Sequence, residues 1–269
     1  MNIKVTIIKK LFILFLILGA NLLYANKIVN ISTLKDYPPF VFVDKHLTIP
    51  NHELIAPNSD SKFLQGYSWE VVRESFHILG YTIKLHIIPW ARCVKYVQND
   101  KTDLIFPALK NSKRERKFYF SKLPTDEQNL VIYLKKDSLL DFDNLESLDG
   151  LKIGTMKGWS FGEKFDNANT ILKEPSYTVL SGLKKLIRGS LDGLAGYEIT
   201  YDYEIKKNNL NKKLKKTTTF YASMEYLIGS RNNPNCKKLL DIYDEGKKLI
   251  IQNGTFDKIN KKWLIDEIK

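Results

Sequence analysis

The chain has 269 residues, 43% of them hydrophobic, and its 42 lysines and arginines outweigh 30 acidic residues for a formal charge of +12. This length is enough for one large or two smaller hydrophobic cores. The charge favours anionic ligands or a negatively charged surface, but it does not indicate a nucleic-acid-binding protein. The lysines are scattered, and the dense run at 212–216 lacks interleaved aromatic residues or a nucleic-acid motif.

Residues 1–25 are predicted to be a signal peptide. Three lysines precede an apolar run at 11–18, and cleavage is expected after Ala25, with Ala20 as the competing position. Leu23 is not the small residue expected before the cleavage site, so an uncleaved signal anchor stays open as the alternative. We predict a mature chain that is exported to the periplasm and soluble.

The first part of the mature chain alternates strands with helices. A helix is indicated by apolar residues at helical spacing from Trp69 to Leu79, followed by Gly80, and a long surface loop is predicted at 44–65. The predicted strands and the second, short helix are Lys27–Thr33, Phe40–Val43, Tyr81–Ile88, Cys93–Val97 (the helix) and Asp103–Leu109. This order predicts an open α/β sheet.

The segment from Asp103 to Ser121 is the most informative part of this region. An apolar strand is predicted to open into a polar loop that carries Arg114, and an aromatic strand, Phe118–Phe120, follows. Arginine offers a rigid, permanently charged fork to a carboxylate or phosphate group. Arg116 lies in the same charged run and is a rival for this role.

A second unit is predicted to begin near Asn129. Its strands are expected at Leu130–Leu134, Lys152–Thr155 and Leu191–Ala195, and its helices at Gly158–Phe165 and Val179–Ile187. The chain then returns through a strand at Tyr226–Gly229 to two C-terminal helices, Lys237–Ile251 and Phe256–Leu264.

The cysteines and histidines give no sign of a metal site or a cofactor. The four histidines lack metal-ligand spacing. Cys93 and Cys236 are far apart in sequence, and both a disulfide and two buried, unpaired thiols are compatible with an exported protein. We therefore predict no metal and no cofactor.

Several motifs in order resemble the extracellular solute-binding proteins of family 3, the periplasmic receptors of amino-acid ABC transporters. Arg114 stands six residues before Phe120, as the ligand-gripping arginine of that family does before its Phe-Ser pair. The other matching segments are Tyr37-Pro38-Pro39-Phe40, Gly66-Tyr67-Ser68-Trp69-Glu70, Pro89-Trp90, Asp149 to Gly154, Gly158-Trp159-Ser160, Gly189 to Gly193, and Gly254 to Trp263.

The resemblance implies an α/β, two-lobed type II periplasmic-binding-protein fold with a ligand cleft. Each lobe would be a mixed sheet flanked by helices, and two crossovers would join the lobes. Lobe 1 would comprise 26–124 and 226–269, and lobe 2 would comprise 125–225. The expected ligand-binding residues are Tyr37, Phe40, Trp90, Asn111, Arg114, Trp159, Ser160 and Glu198. The expected partners are a small solute and a membrane ABC permease, with no nucleic acid, and the protein is expected to be a monomer.

Two departures from the family pattern concern the amino-acid ligand. Asn111 replaces the threonine that lies three residues before the arginine, and Leu109 stands near the position of a serine. The aspartate expected to bind the α-ammonium group is replaced by Tyr197, with Glu198 next to it. Either Glu198 takes that role, or the ligand lacks an α-ammonium group.

Two other functions are compatible with the same scaffold. The first is a cyclohexadienyl-dehydratase-like enzyme, in which Glu198 would be the general acid. The second is a sensor input protein that signals through a partner. The sequence has no nucleophile–base pair or metal motif, so solute binding is the leading hypothesis.

Overall fold

The computed structural model describes residues 27–43 and 48–266, so the predicted signal peptide lies outside the described residues. The strands are β1 Ile28–Thr33, β2 Asp36–Tyr37, β3 Val41–Val43, β4 Glu53–Ile55, β5 Leu64–Gln65, β6 Thr82–Ile87, β7 Leu104–Leu109, β8 Phe118–Phe120, β9 Asp126–Lys135, β10 Lys152–Met156, β11 Leu172–Ser176, β12 Gly193–Tyr197, β13 Leu214–Lys216 and β14 Tyr221–Ser230. The α-helices are α1 Tyr67–His77, α2 Trp90–Gln98, α3 Ser112–Glu115, α4 Glu163–Asn167, α5 Val179–Ile187, α6 Glu198–Lys207, α7 Pro234–Gln252 and α8 Thr255–Asn260, with a 3-10 turn at Leu145–Leu148 and a π-helical turn at Lys261–Asp266.

The protein is a mixed α/β fold of two lobes. Strands β4, β6, β1 and β7 follow one another on one side, and β12, β10 and β11 on the other. Between them lie β9 and β14, an antiparallel pair with Asp126 opposite Glu225. The chain passes from one lobe to the other along these two strands, which we call the crossover strands. The predicted α/β order and two-lobed fold are confirmed.

The first lobe presents its N-terminal loop against α1. The amide groups of Tyr67 and Ser68 donate to the carbonyl groups of Pro39 and Phe40. This approach requires glycine at position 66, where φ is +128° and a Cβ atom would lie 2.4 Å from the Phe40 carbonyl oxygen. The contact fixes the turn after Tyr37 and therefore the direction of its side chain.

Several element predictions were wrong in detail. Arg114 lies in α3, not in a loop, because the Asn111 side chain accepts a hydrogen bond from the Arg114 amide and caps a helical turn. The helix after Gly158 begins only at Glu163, because Gly158 and Gly162 both adopt positive φ. The predicted loop at 44–65 contains β4 and β5, although 44–47 lie outside the described residues.

Both cysteines are buried and unpaired, which decides between the two readings of the sequence. Cys93 donates to the Ile88 carbonyl oxygen at 3.4 Å and Cys236 to the Asp103 carbonyl oxygen at 3.0 Å. Across residues 27–43 and 48–266, no helix combines the length and the apolar character needed to cross a membrane.

Candidate ligand-binding site

A small cavity lies where the two lobes meet. Its volume is about 20 Å³, which is room for about one water molecule. Its walls are Leu34, Tyr37, Trp90, Pro107, Arg114, Trp159, Tyr197 and Glu225. Residues from both sides of the cleft and from the second crossover strand contribute to these walls, so little space is left between the lobes at this point.

Arg114 brings a permanent positive charge to this cavity. Its Nη1 atom donates to the Leu109 carbonyl oxygen at 2.7 Å, and its Nη2 atom lies 3.4 Å from the Gly158 carbonyl oxygen in the other lobe. Its guanidinium carbon lies 5.6 Å from the centre of the Trp90 ring. Burial lowers the pKa of Arg114, but arginine stays protonated in proteins. A cation whose acceptors here are carbonyl groups is well suited to an anionic ligand group.

Three aromatic rings close the cavity. The Trp159 ring lies 5.1 Å from both Tyr37 and Tyr197, and the Tyr37 and Tyr197 rings lie 5.6 Å apart. The Tyr197 hydroxyl donates to the Ser160 carbonyl oxygen at 2.7 Å, and Trp90 Nε1 donates to the Gly158 carbonyl oxygen at 3.1 Å. The aromatic wall is therefore held by hydrogen bonds at its polar atoms.

Asn111 and Ser160 meet across the cleft. Asn111 Nδ2 donates to Ser160 Oγ at 2.9 Å, and Ser160 Oγ in turn donates to the Asp166 carboxylate. Both residues line a second cavity of about 530 Å³, whose wall also includes Arg114 and Trp159. The predicted residues Arg114 and Trp159 thus line both the small cavity and the wider one, whereas Asn111 and Ser160 line only the wider one.

Phe40 and Glu198, also predicted to bind the ligand, line neither of these two cavities. The Phe40 ring packs 5.4 Å from Tyr37 and supports it from behind. Glu198 pairs with Lys216 at 2.7 Å and accepts a hydrogen bond from Asn129 at 3.3 Å. Glu198 does not line the cavity with Arg114.

The acidic group on the cavity wall is Glu225, which the sequence reasoning missed. Its side chain is buried and accepts a hydrogen bond from the Tyr37 hydroxyl at 2.6 Å. Burial raises its pKa well above the usual range, and the nearby carboxyl group of Asp126 raises that pKa further. The available signal was a carboxylate directly before the apolar run 226–229, which was predicted as the returning strand.

Tyr197 was also missed as a cavity residue. The predicted strand ended at Ala195, whereas β12 runs on to Tyr197 and carries this side chain to the cavity. The tyrosine therefore occupies the wall at the position where the family pattern leads one to expect an aspartate.

Comparison with known families assigns the chain. The model for bacterial extracellular solute-binding proteins, family 3, matches residues 29–266. This protein belongs to that family. The L-cystine-binding protein TcyJ of Bacillus subtilis is 22% identical over 83% of each chain.

Solved structures share the fold. The arginine-, lysine-, histidine-binding protein ArtJ of Geobacillus stearothermophilus is 22% identical, with a TM-score of 0.71 over 88% of this chain and 95% of that one. A histidine kinase sensor domain similar to periplasmic binding proteins is 20% identical, with a TM-score of 0.74 over 89% of this chain and 97% of that one. These likenesses confirm the type II binding-protein architecture.

Proposed function

We propose that this family member is a periplasmic receptor that captures a small carboxylate-bearing solute, an amino acid or a derivative, and delivers it to a membrane ABC permease. The observation that carries the proposal is the Arg114 guanidinium on a small cavity between the lobes, where it donates to carbonyl groups. A ligand carboxylate would supply two parallel acceptors for it.

The proposed mechanism is closure of the two lobes around the solute. The cavity that Arg114 shares with Tyr37, Tyr197 and Glu225 measures about 20 Å³, which is far too small for an amino acid, so a solute that reaches this wall requires the lobes to separate. The crossover strands β9 and β14 are the connections across which this movement would occur, with lobe 2 at 125–225 between them. The proposed carboxylate-binding group, Arg114, belongs to lobe 1, and Trp159 and Tyr197 close over it from lobe 2.

The aromatic wall and the relatives support an amino-acid-like ligand. TcyJ is described as a binding protein for L-cystine, which carries carboxylate groups, and four aromatic residues line the cavity with Arg114 here. The dehydratase alternative depended on Glu198, whose partners are Lys216 and Asn129, away from the cavity. The site therefore favours binding over that catalytic role, and we propose no enzyme activity.

A thermal-shift screen tests the ligand class. Amino acids, opines, keto acids and small peptides are each added in excess, and a true ligand raises the melting temperature by mass action. At a hundredfold excess over its dissociation constant, the stabilisation is about 2.7 kcal/mol. If no anionic or zwitterionic solute stabilises the protein, the proposal is wrong.

The role of Arg114 is tested on the solute that the screen identifies. Arg114→Ala is expected to weaken binding by about 2–4 kcal/mol through loss of charge-assisted hydrogen bonds, and Arg114→Lys to retain part of the affinity. Arg116→Ala is the matched control, because this arginine is exposed, and we expect it to change the affinity little. Calorimetry on the three variants decides: binding that depends on Arg116 and not on Arg114 would contradict the assignment.

A further inference from the structure

Glu225 stands out among the cavity residues because its carboxyl group is buried and belongs to a crossover strand. The side chain is 4% exposed, and so is that of Asp126 opposite it. Glu225 lines the same cavity of about 20 Å³ as Arg114. One wall of this site is therefore acidic and another basic.

We infer that Glu225 is the specificity-determining residue of the proposed site and binds an ammonium group of the solute, while Arg114 binds its carboxylate. This inference rests on the proposed function and narrows the ligand to zwitterionic amino compounds. It also moves the ammonium-binding role from the end of β12, where Tyr197 stands, to the crossover strand β14. A carboxylate has about four acceptor positions, so the bond from Tyr37 leaves room for a ligand ammonium group.

The groups around Glu225 determine whether its carboxyl group is protonated before an ammonium group binds. The groups that face it are the Tyr37 hydroxyl from β2, Asp126 from β9, Arg114 from α3 and Tyr197 from β12. Burial and the nearby Asp126 carboxyl group raise the pKa of Glu225, the Arg114 charge and the Tyr37 bond lower it, and the net rise favours a protonated Glu225 where no further cation faces it.

Binding of an ammonium group would then be coupled to the loss of one proton from Glu225. The Glu225 carboxyl group releases its proton to the buffer, and the resulting carboxylate pairs with the ligand ammonium, which keeps all of its own protons. A solute with a hydroxyl group in place of the ammonium group gives no reason for this release. Proton release is thus a readout that a merely structural Glu225 would not produce.

The experiment compares matched solutes on the full mature protein. Each L-amino acid that stabilises the protein, and the 2-hydroxy acid with the same side chain, are titrated by calorimetry near pH 7 in phosphate and in Tris buffer. The difference in heat between the two buffers gives the number of protons released. We expect the amino acid to bind at least a hundredfold more tightly than its hydroxy analogue and to release close to one proton.

Variants assign the effect to Glu225. Glu225→Gln is expected to weaken amino-acid binding at least a hundredfold and to remove the proton release, while Glu127→Gln, at an exposed position on the same crossover strand as Asp126, leaves both unchanged. Circular dichroism checks the fold of each variant. If Glu225→Gln does not fold, the comparison of solutes and the proton count on the unaltered protein still decide the matter.

The outcomes separate this inference from the proposed function. Hydroxy acids that bind as tightly as amino acids, in an Arg114-dependent way, would overturn the role of Glu225 and leave the receptor function standing. Amino-acid binding that survives Glu225→Gln with its proton release intact would also overturn it. Absence of binding by every solute of the panel contradicts both.

Discussion

At the scale of single residues, Lys247 carries an amino group into the interior beside the crossover strands. It belongs to α7, is 4% exposed, donates to the Pro124 carbonyl oxygen, and lies 5.0 Å from the centre of the Phe256 ring. Burial lowers its pKa to about 8. The unfolded chain therefore binds more protons than the folded one between pH 8 and the ordinary lysine pKa, so the stability contributed by this residue rises with pH in that window.

The rise of stability with pH that Lys247 should cause can be measured. Between pH 7 and pH 9.5, the free energy of unfolding of the natural protein should rise by about 2 kcal/mol relative to the Lys247→Met variant, which cannot titrate there. Urea denaturation of both proteins at several pH values measures the difference. The series stops below pH 10, since the raised pKa values of buried tyrosines such as Tyr243 make stability fall above that point. Parallel pH curves for the two proteins would contradict the burial of the amino group.

Four of the eight residues that line the cavity were predicted from the sequence. Arg114, Tyr37, Trp90 and Trp159 were all predicted, because short motifs with glycine, proline or a Phe-Ser pair fixed their register, and the structure brings these four residues to one cavity. Glu225 follows no such motif. Its position on the cavity wall depends on the pairing of β14 with β9, a contact between residues that are 99 positions apart and that no local pattern reports.

At the scale of elements, local signals decided which predictions succeeded. Helix α5 has the predicted bounds, because Thr178 and Ser181 form a capping box and its apolar residues follow helical spacing. Strand β11 was missed because it is an edge strand, largely exposed, and contains Pro175. Helix α6 was missed because its buried face includes the polar residues Thr200 and Glu204, so the apolar pattern is weak.

The packing of α1 against α7 carries an element-scale prediction. A Cβ atom at Gly246 would lie 1.8 Å from the Ser75 carbonyl oxygen, so Gly246→Ala must push the two helices apart. We expect a loss of about 3 kcal/mol in the free energy of unfolding, because overpacking outweighs the better helix propensity of alanine. Glu245→Ala, at the exposed neighbouring position, is the control and should change stability little. Equal melting temperatures for the two variants would show that the helices are not in this contact.

At the scale of the whole molecule, the lobes meet through direct contacts as well as around the cavity. Ser112 Oγ donates to Glu163 Oε1 at 2.6 Å, and Asn111 donates to Ser160 at 2.9 Å. Each bond joins a residue at the start of α3 to a residue at or before α4, on the other side of the cleft. These bonds are direct contacts between the two sides of the cleft, so we expect them to stabilise the closed arrangement relative to an open one.

Removing one of these bonds should change binding kinetics more than affinity. The Ser112–Glu163 bond stabilises the closed form equally with and without solute, so Ser112→Ala raises the open fraction in both states. A net contribution of about 1 kcal/mol corresponds to a roughly fivefold change in that ratio. If entry requires the open form and the empty protein is mostly closed, association and dissociation should both accelerate by up to about fivefold, and the dissociation constant should stay nearly constant.

Stopped-flow tryptophan fluorescence with the solute from the thermal screen measures both rates, and Lys113→Ala, at an exposed position of the same helix, is the control. An unchanged association rate in Ser112→Ala would mean that this bond does not hold the empty lobes together.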